Sequence, residues 1–226
     1  MNAAVKTYYD ELAPTYDENR FANSYGRYLD AQERRVLDRL LPGSEANIGL
    51  DAACGTGRLL TYSTHGADIS QAMIEEAQKK HPEKILVIAS ATELPFPDNH
   101  FDHVTTFHLI MHLDRASSAA VFSELLRVLK PGGRLIFDVP SAKRRKLTAY
   151  QAKNWHGANA YASAELKSHF KDLATDFQVQ GIAFFPVHRL PNRWRGLMRR
   201  LDNWWCRSFL KEYASYLVIS MQKPCT

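Results

Sequence analysis

Between residues 48 and 140 the chain alternates short apolar runs with amphipathic ones, and that alternation excludes most folds at once. IGLDA (48–52), KILVIAS (84–90), FDHVTTF (101–107) and RLIFDVP (134–140), the last closed by proline, read as strands. The helical stretches are TGRLLTYSTH (56–65), QAMIEEAQKKH (71–81), which Ser70 is placed to cap, and RASSAAVFSELLRVL (115–129), which stops at Pro131-Gly132-Gly133. SAELKSHFKDLA (163–174) reads as a further helix, and FQVQGIAFFPV (177–187) and YASYLVISMQ (213–222) as the last strands. Strands alternating with helices predict an α/β fold, a doubly wound and mostly parallel sheet covered on both faces, with ligands at the carboxyl ends of its strands. A chain of 226 residues, 45% of them hydrophobic, is long enough to build this as one domain with a sizeable core.

Composition narrows the function classes. The longest apolar stretches, such as VTTFHLIM (104–111), fall well short of the roughly 18 residues of a membrane span, and MNAAVKTYYDEL lacks an apolar signal core. A cytoplasmic protein is expected. Cys54, Cys206 and Cys225 are an odd number without a C-x-x-C pair, so neither a disulfide framework nor a metal site is expected. The net charge of +5 is local: KRRK (143–146) contributes +4 and residues 189–211 contribute +6, which leaves −5 for the remainder. The basic character therefore belongs to two surface segments and does not mark a general polyanion binder.

LDAACGTGR (50–58) ends the first strand in an acid followed by small residues. In a dinucleotide loop the glycines recur as G-x-G-x-x-G, and aligning Gly55 and Gly57 puts Leu60 in the third position. Ala53-Cys54-Gly55-Thr56-Gly57 reads instead as a small-x-Gly-x-Gly turn, where missing side chains let a ligand lie against the backbone. A nucleoside carrying an amino-acid tail suits such a turn, with its carboxylate near the helix N-terminus and its ribose diol on the acid at the next strand end, Asp68.

Four segments, in this order, resemble the class I S-adenosylmethionine (SAM)-dependent methyltransferases. LDAACGTGR resembles their first motif, GADISQAMIEEAQ (66–78) their ribose-binding acid and following helix, ATELPFPDNHFDHVTTFHLIMHL (91–113) their adenine-side turn and fourth strand, and ELLRVLKPGGRLIF (124–137) the entry to their fifth strand. YYDELAPTYDENR (8–20) resembles their lid helix. The resemblance implies a Rossmann-like sheet with an antiparallel last strand, and SAM as cofactor. It implies a cofactor site made by Asp51, Ala53, Gly55 and Gly57 on the first turn, Asp68 and Ile69 at the second strand, Ala91 and Thr92 beside the adenine, Phe107 after the fourth strand, and Tyr16 over the sulfonium. His108 and His112, at the end where the reacting methyl sits, are candidate general bases.

Three positions depart from the family pattern. Asp68 follows Asp51 by only 17 positions, which predicts a shortened second strand, a stub near Ala67–Ile69. Ser90 stands where an adenine-binding aspartate is common, which predicts weaker cofactor binding through the backbone at Ala91 and Thr92, and Ala53 replaces the first glycine. Each site residue also has a structural alternative: Asp68 as a helix-capping acid, Tyr16 packed on the core, the histidines hydrogen-bonded within the wall.

The expected organisation is N-terminal lid helices (1–45), a core (46–187 and 213–222) and a helical insertion (188–212). On a helical wheel Trp194, Leu197, Met198, Leu201, Trp204, Trp205 and Phe209 share one face, and Arg195, Arg199, Arg200, Asp202 and Arg207 the other. The plain expectation is a helix capping the core with a solvated basic face. The alternatives are recognition of an acidic or lipid-linked acceptor, peripheral membrane contact through 193–210, and tRNA binding. The leading function is methyl transfer from SAM to an oxygen or nitrogen of a small-molecule or lipid-linked acceptor. A tRNA-modifying methyltransferase and a non-catalytic SAM-fold module are the other two readings.

Overall fold

A computed structural model describes residues 3–43, 47–151 and 159–225; the expected lid–core boundary at 45/46 lies outside the described residues. Seven strands, β1 (Gly49–Ala52), β2 (His65–Asp68), β3 (Ile85–Ile88), β4 (Phe101–Thr106), β5 (Leu129–Pro140), β6 (Thr175–Ile182) and β7 (Tyr216–Gln222), form one sheet in the order β3-β2-β1-β4-β5-β7-β6. Pairing is parallel from β3 to β5, and β7 runs antiparallel to both β5 and β6, as expected for the last strand. The order reverses between β1 and β4, so their carboxyl ends diverge and open a crevice there.

The helices are α1 (Ala3–Leu12), α2 (Tyr16–Phe21), α3 (Ser24–Leu40), α4 (Gln71–Lys80), α5 (Arg115–Val128), α6 (Ala142–Leu147), α7 (Ser163–His169) and α8 (Asn192–Trp205). On one face of the sheet Leu50, Val104, Leu135 and Phe137 bury against Val121, Phe122 and Leu125 of α5. On the other, Ile136 and Val218 meet Tyr28, Leu29, Val36 and Leu37 of α3. Each such side chain contributes roughly 1.5–3 kcal/mol by burial, so the two layers hold the crevice from both sides. Ser70 caps α4, its hydroxyl accepting from the Met73 amide at 3.1 Å.

The helix expected over 56–65 is absent: a turn and one 3₁₀ turn, Leu60–Tyr62, replace it. The crossover is too short for an α-helix. A four-residue strand is about 13 Å long, and the residues left after the glycine turn would rise only about 10 Å as an α-helix. Extended turns cover the distance instead, and β2 starts at His65 with Asp68 as its last residue. The Pro131-Gly132-Gly133 break lies inside β5, because the Gly132 amide donates to Lys223 O and the Lys223 amide to Gly133 O beyond the end of β7.

The wheel reading of α8 holds only in part: Arg199, Arg200 and Arg207 are exposed as expected, but the helix is turned so that the border of its two faces is buried and most of the apolar face is not. Asp202 is fully buried, accepting from Gln32 Nε2 at 2.7 Å and from the Phe185 amide at 2.5 Å. Arg195 donates to the carbonyls of Leu190 and His188, and the Arg199 guanidinium lies 5.9 Å from the Tyr28 ring. Trp194, Leu197, Leu201, Trp204 and Phe209 face solvent, while Met198 and Trp205 are partly buried. A wheel ranks faces by hydrophobicity and cannot see that Gln32 and the chain leaving β6 offer a buried acid its partners.

Candidate active site

The crevice begins at the turn after β1. Ala53, Gly55 and Gly57 hold φ of +58°, +54° and +81°, the left-handed region that favours glycine. The two glycines serve different ends. A Cβ on Gly55 would meet nothing within 4 Å, so the turn leaves open space on the crevice side, whereas one on Gly57 would press on Leu60, His81 and Ala77 at 2.9–3.2 Å. Asp68 ties this turn to β2, its carboxylate oxygens accepting from the Gly55 and Ser70 amides at 2.9 Å each. Burial raises its pKa, against those amide bonds. The short crossover has not displaced it, since Asp68 lines the cleft together with Ala53, Gly55, Ile69, Ala91 and Phe107.

That cleft encloses about 680 Å³ and is roofed by Tyr9 and Tyr16. Burial pushes the Tyr16 phenol up to about 12, so it stays protonated. The lid is fastened at both ends: the Ser70 hydroxyl donates to Asp10 at 2.5 Å, and the Thr56 hydroxyl to Asp17 at 2.6 Å. Three expected residues stand outside the lining, of which Asp51 lines the narrower space beyond the glycine turn. Gly57 packs beneath the turn, and Thr92 is exposed, its hydroxyl paired with Ser90 at 2.7 Å. Ser90 therefore caps its own turn in place of an adenine-facing acid.

Beyond the glycine turn the space narrows between Asp51, Arg58, Tyr16 and His108. Asp51 is buried and accepts from the Thr105 hydroxyl at 3.1 Å; burial pushes its pKa up to about 7. Arg58 lies 2.6 Å from both Asp30 and Glu33, with its guanidinium over the Phe21 ring. Glu33, fully buried, also lies 2.8 Å from His108 Nε2. His108, at φ +60°, donates its amide to Asp138 at 2.6 Å, and its Nδ1 lies 3.5 Å from the same carboxylate.

This surrounding changes the expected role of His108. Burial works against a charged ring, but Glu33 and Asp138 outweigh it and raise its pKa above the ordinary value. Both ring nitrogens face carboxylates, Nε2 toward Glu33 and Nδ1 toward Asp138, an arrangement that favours the protonated ring and works against a free lone pair for general-base work. His112 differs, with Nε2 3.1 Å from the Tyr9 hydroxyl, both in the lining of the cleft. Arg58, Glu33 and Asp138 are missed in the sequence reading, although a signal existed. Glu33 falls on the apolar face of α3 between Leu29 and Val36, and Asp138 interrupts an apolar strand.

A second cavity of about 700 Å³ adjoins the first. It shares Tyr9, Tyr16, His108 and His112 with the cleft and adds Phe21, Tyr25, Met111 and Tyr216. Burial in its wall raises the pKa of both Tyr25 and Tyr216.

Comparison with known proteins agrees with this geometry. The methyltransferase domain family matches residues 50–137. The chain is similar to the demethylmenaquinone methyltransferase of Chlamydia trachomatis, 31% identical over 216 residues that cover 86% of this chain and 91% of that protein. It is also similar to the ubiquinone/menaquinone biosynthesis C-methyltransferase of Desulfotalea psychrophila, 34% identical over 142 residues, 58% of this chain and 56% of that one. In fold it is similar to a SAM-dependent methyltransferase of Thermotoga maritima, with a TM-score of 0.72 at 20% identity over 95% and 98% of the two chains. The chain belongs to the class I SAM-dependent methyltransferases. Its cofactor is SAM, and the open space before Gly55, with an acid at the next strand end, fits that group.

The glycine geometry separates two substitutions. Gly55→Val is expected to lower SAM affinity by about a hundredfold or more while the protein stays folded, because its side chain takes up open space lining the cleft and its positive φ strains the turn without a clash in the packing. Gly57→Val is expected to lower the melting temperature, because its side chain enters the packing of α4. Calorimetric titration and thermal melts of both variants check this, and unchanged affinity in Gly55→Val would move the cofactor off the turn.

Proposed function

We propose that the acceptor is a small hydroxylated aromatic ring, free or lipid-linked, held in the second cavity. The observation that carries this reading is the wall of that cavity: Tyr9, Phe21, Tyr25 and Tyr216 surround a space that meets the cofactor cleft at His108 and His112. Aromatic side chains of this kind bind rings by stacked and edge contacts. The relatives named for demethylmenaquinone and for ubiquinone/menaquinone make a quinone-type ring the first acceptor to test.

SAM supplies an electrophilic methyl group and needs no further activation by the protein. The chain's own work is to align the acceptor atom, keep water out and take a proton, and alignment alone is worth roughly 7–11 kcal/mol. The lid helices exclude water, held down through Asp10 and Asp17. The acceptor's hydroxyl proton passes to Tyr9 Oη as Tyr9 releases its own to His112 Nε2, 3.1 Å away. Burial raises the Tyr9 pKa, so the phenol hands on a proton without resting as a phenolate. Glu33 and Asp138 hold the His108 ring at the junction and raise its pKa, so in its protonated form it offers an ionising acceptor a positive charge there.

With a demethylated quinol as acceptor, His112→Gln and Tyr9→Phe are each expected to lower turnover about tenfold or more, a larger factor than either takes from SAM affinity. Turnover on tRNA, with none on a panel of small aromatic alcohols, would overturn the proposal.

A further inference from the structure

We propose that α8 docks this enzyme on an anionic lipid surface, beside the mouth of the acceptor cavity. The proposal rests on the surface itself and holds whatever the acceptor is.

The stripe Trp194, Leu197, Leu201 and Trp204 follows helical i, i+3, i+4 spacing, and these side chains are 51%, 54%, 42% and 64% exposed. Phe209, just past the helix, is 87% exposed. A contiguous apolar stripe of this kind marks an interaction surface. The helix cannot roll to hide it, because its other side is locked by Asp202 on Gln32 and Phe185 and by Arg195 on the preceding turn.

Charge identifies the occupant. Arg193 and Arg200 are exposed on the same solvent side of the helix, at the border of the stripe. The second basic segment joins them. α6, which carries KRRK, meets the 3₁₀ turn Lys211–Tyr213 that follows α8: Lys143 Nζ lies 3.8 Å from Glu212, and Arg144 donates to Tyr213 O at 3.4 Å. α6 leads to two more exposed apolar residues, Leu147 and Tyr150. Both segments leave the sheet at the carboxyl ends of β5 and β6, the edge that carries the site. His188, directly before α8, packs its ring 4.9 Å from Tyr25 in the cavity wall.

Tryptophans and arginines around an apolar stripe are the composition that lies in a headgroup layer, and basic residues draw such a surface to acidic lipid. No helix among the described residues is long and apolar enough to cross a membrane, so the contact is peripheral. A second copy of the chain fits this face poorly, because a two-fold contact would gather the Arg193 and Arg200 charges of both copies in one interface, with no acidic side chain among the described residues exposed on the stripe to offset them.

Vesicle flotation of the full chain tests the proposal. The parent is expected to float with phosphatidylcholine vesicles containing phosphatidylglycerol and not with phosphatidylcholine alone, and to be released by high salt. Arg193→Gln with Arg200→Gln is expected to weaken binding about thirtyfold, from about 1 kcal/mol per basic residue near such a surface. Leu197→Gln with Trp204→Gln is expected to abolish it. Both double variants should bind SAM like the parent, which separates loss of docking from loss of the fold or of the catalytic site. A parent that stays off acidic vesicles, or variants that float as it does, would overturn the proposal. A dimer in ultracentrifugation that the Leu197/Trp204 variant dissolves, with no flotation of the parent, would assign the face to a second copy instead.

Discussion

Glu33→Gln is expected to cost the protein roughly 3 kcal/mol of stability near pH 6, the low end for breaking a buried pair, because it removes the shared partner of two partly buried basic side chains. Glu33 is fully buried and lies 2.6 Å from Arg58 and 2.8 Å from His108. Without its charge, Arg58 keeps only Asp30 and His108 only Asp138. The effect carries a pH signature. Arg58 and His108 hold the Glu33 pKa below its ordinary value despite burial, so its contribution is present above about pH 4.5 and is lost as pH falls through the folded value. The His108 pKa is raised, so its share is present below about pH 6.5 and lost as pH rises through the folded value. The gap in stability between parent and variant should therefore peak between these limits and narrow on both sides, with the Arg58 share persisting in alkali. Urea midpoints across pH measure it. A gap below about 1 kcal/mol at every pH would mean that the buried pairing does not stabilise the fold.

The same cluster shows which parts of the molecule are legible in a sequence. β1 and β5 are readable because a strand buried on both faces is largely an apolar run between turns, and β4 because Val104, Thr105 and Thr106 form a β-branched run that follows a turn-rich stretch. Asp68 is readable because a strand end next to a glycine turn has few geometric options, and the structure keeps it in the cleft. The helix over 56–65 is misread because periodicity reports a tendency, whereas the distance to be spanned decides the outcome. The orientation of α8 is misread because Asp202 finds its partners on α3 and after β6, segments that no wheel of α8 includes. Glu33, Arg58 and Asp138 escape for the same reason, since each is an ordinary charge until the fold sets it beside the others around His108. Local pattern thus finds the turn that faces the cofactor, and only tertiary contact shows that one of the two candidate histidines is already committed to carboxylates.

Asp51→Asn is expected to change how both stability and SAM affinity depend on pH. The Asp51 carboxyl is pushed up to about 7 by burial, with the Thr105 hydroxyl pulling the other way, whereas in the unfolded chain it titrates near 3.9. Between those values the folded protein keeps a proton that the unfolded chain has released, so stability falls as pH rises from about 4 to about 7 and is level above that. An interval of about three units corresponds to about 4 kcal/mol. Asparagine still offers Thr105 an acceptor and does not titrate, so the stability of the variant relative to the parent should rise by up to about 4 kcal/mol between pH 4 and pH 8. Contributions from His108 and Glu33 are common to both proteins and cancel in the difference. SAM is cationic at its sulfonium and ammonium groups, and a cation in this cleft favours the ionised carboxylate. Affinity in the parent should therefore rise with pH below 7, by up to about tenfold per unit, with a proton released on binding, and the variant should lose that slope. Titrations in buffers of different ionisation enthalpy count the proton directly. Equal slopes in parent and variant, with a constant stability difference from pH 4 to pH 8, would show that Asp51 stays ionised throughout and that its burial is compensated within the fold.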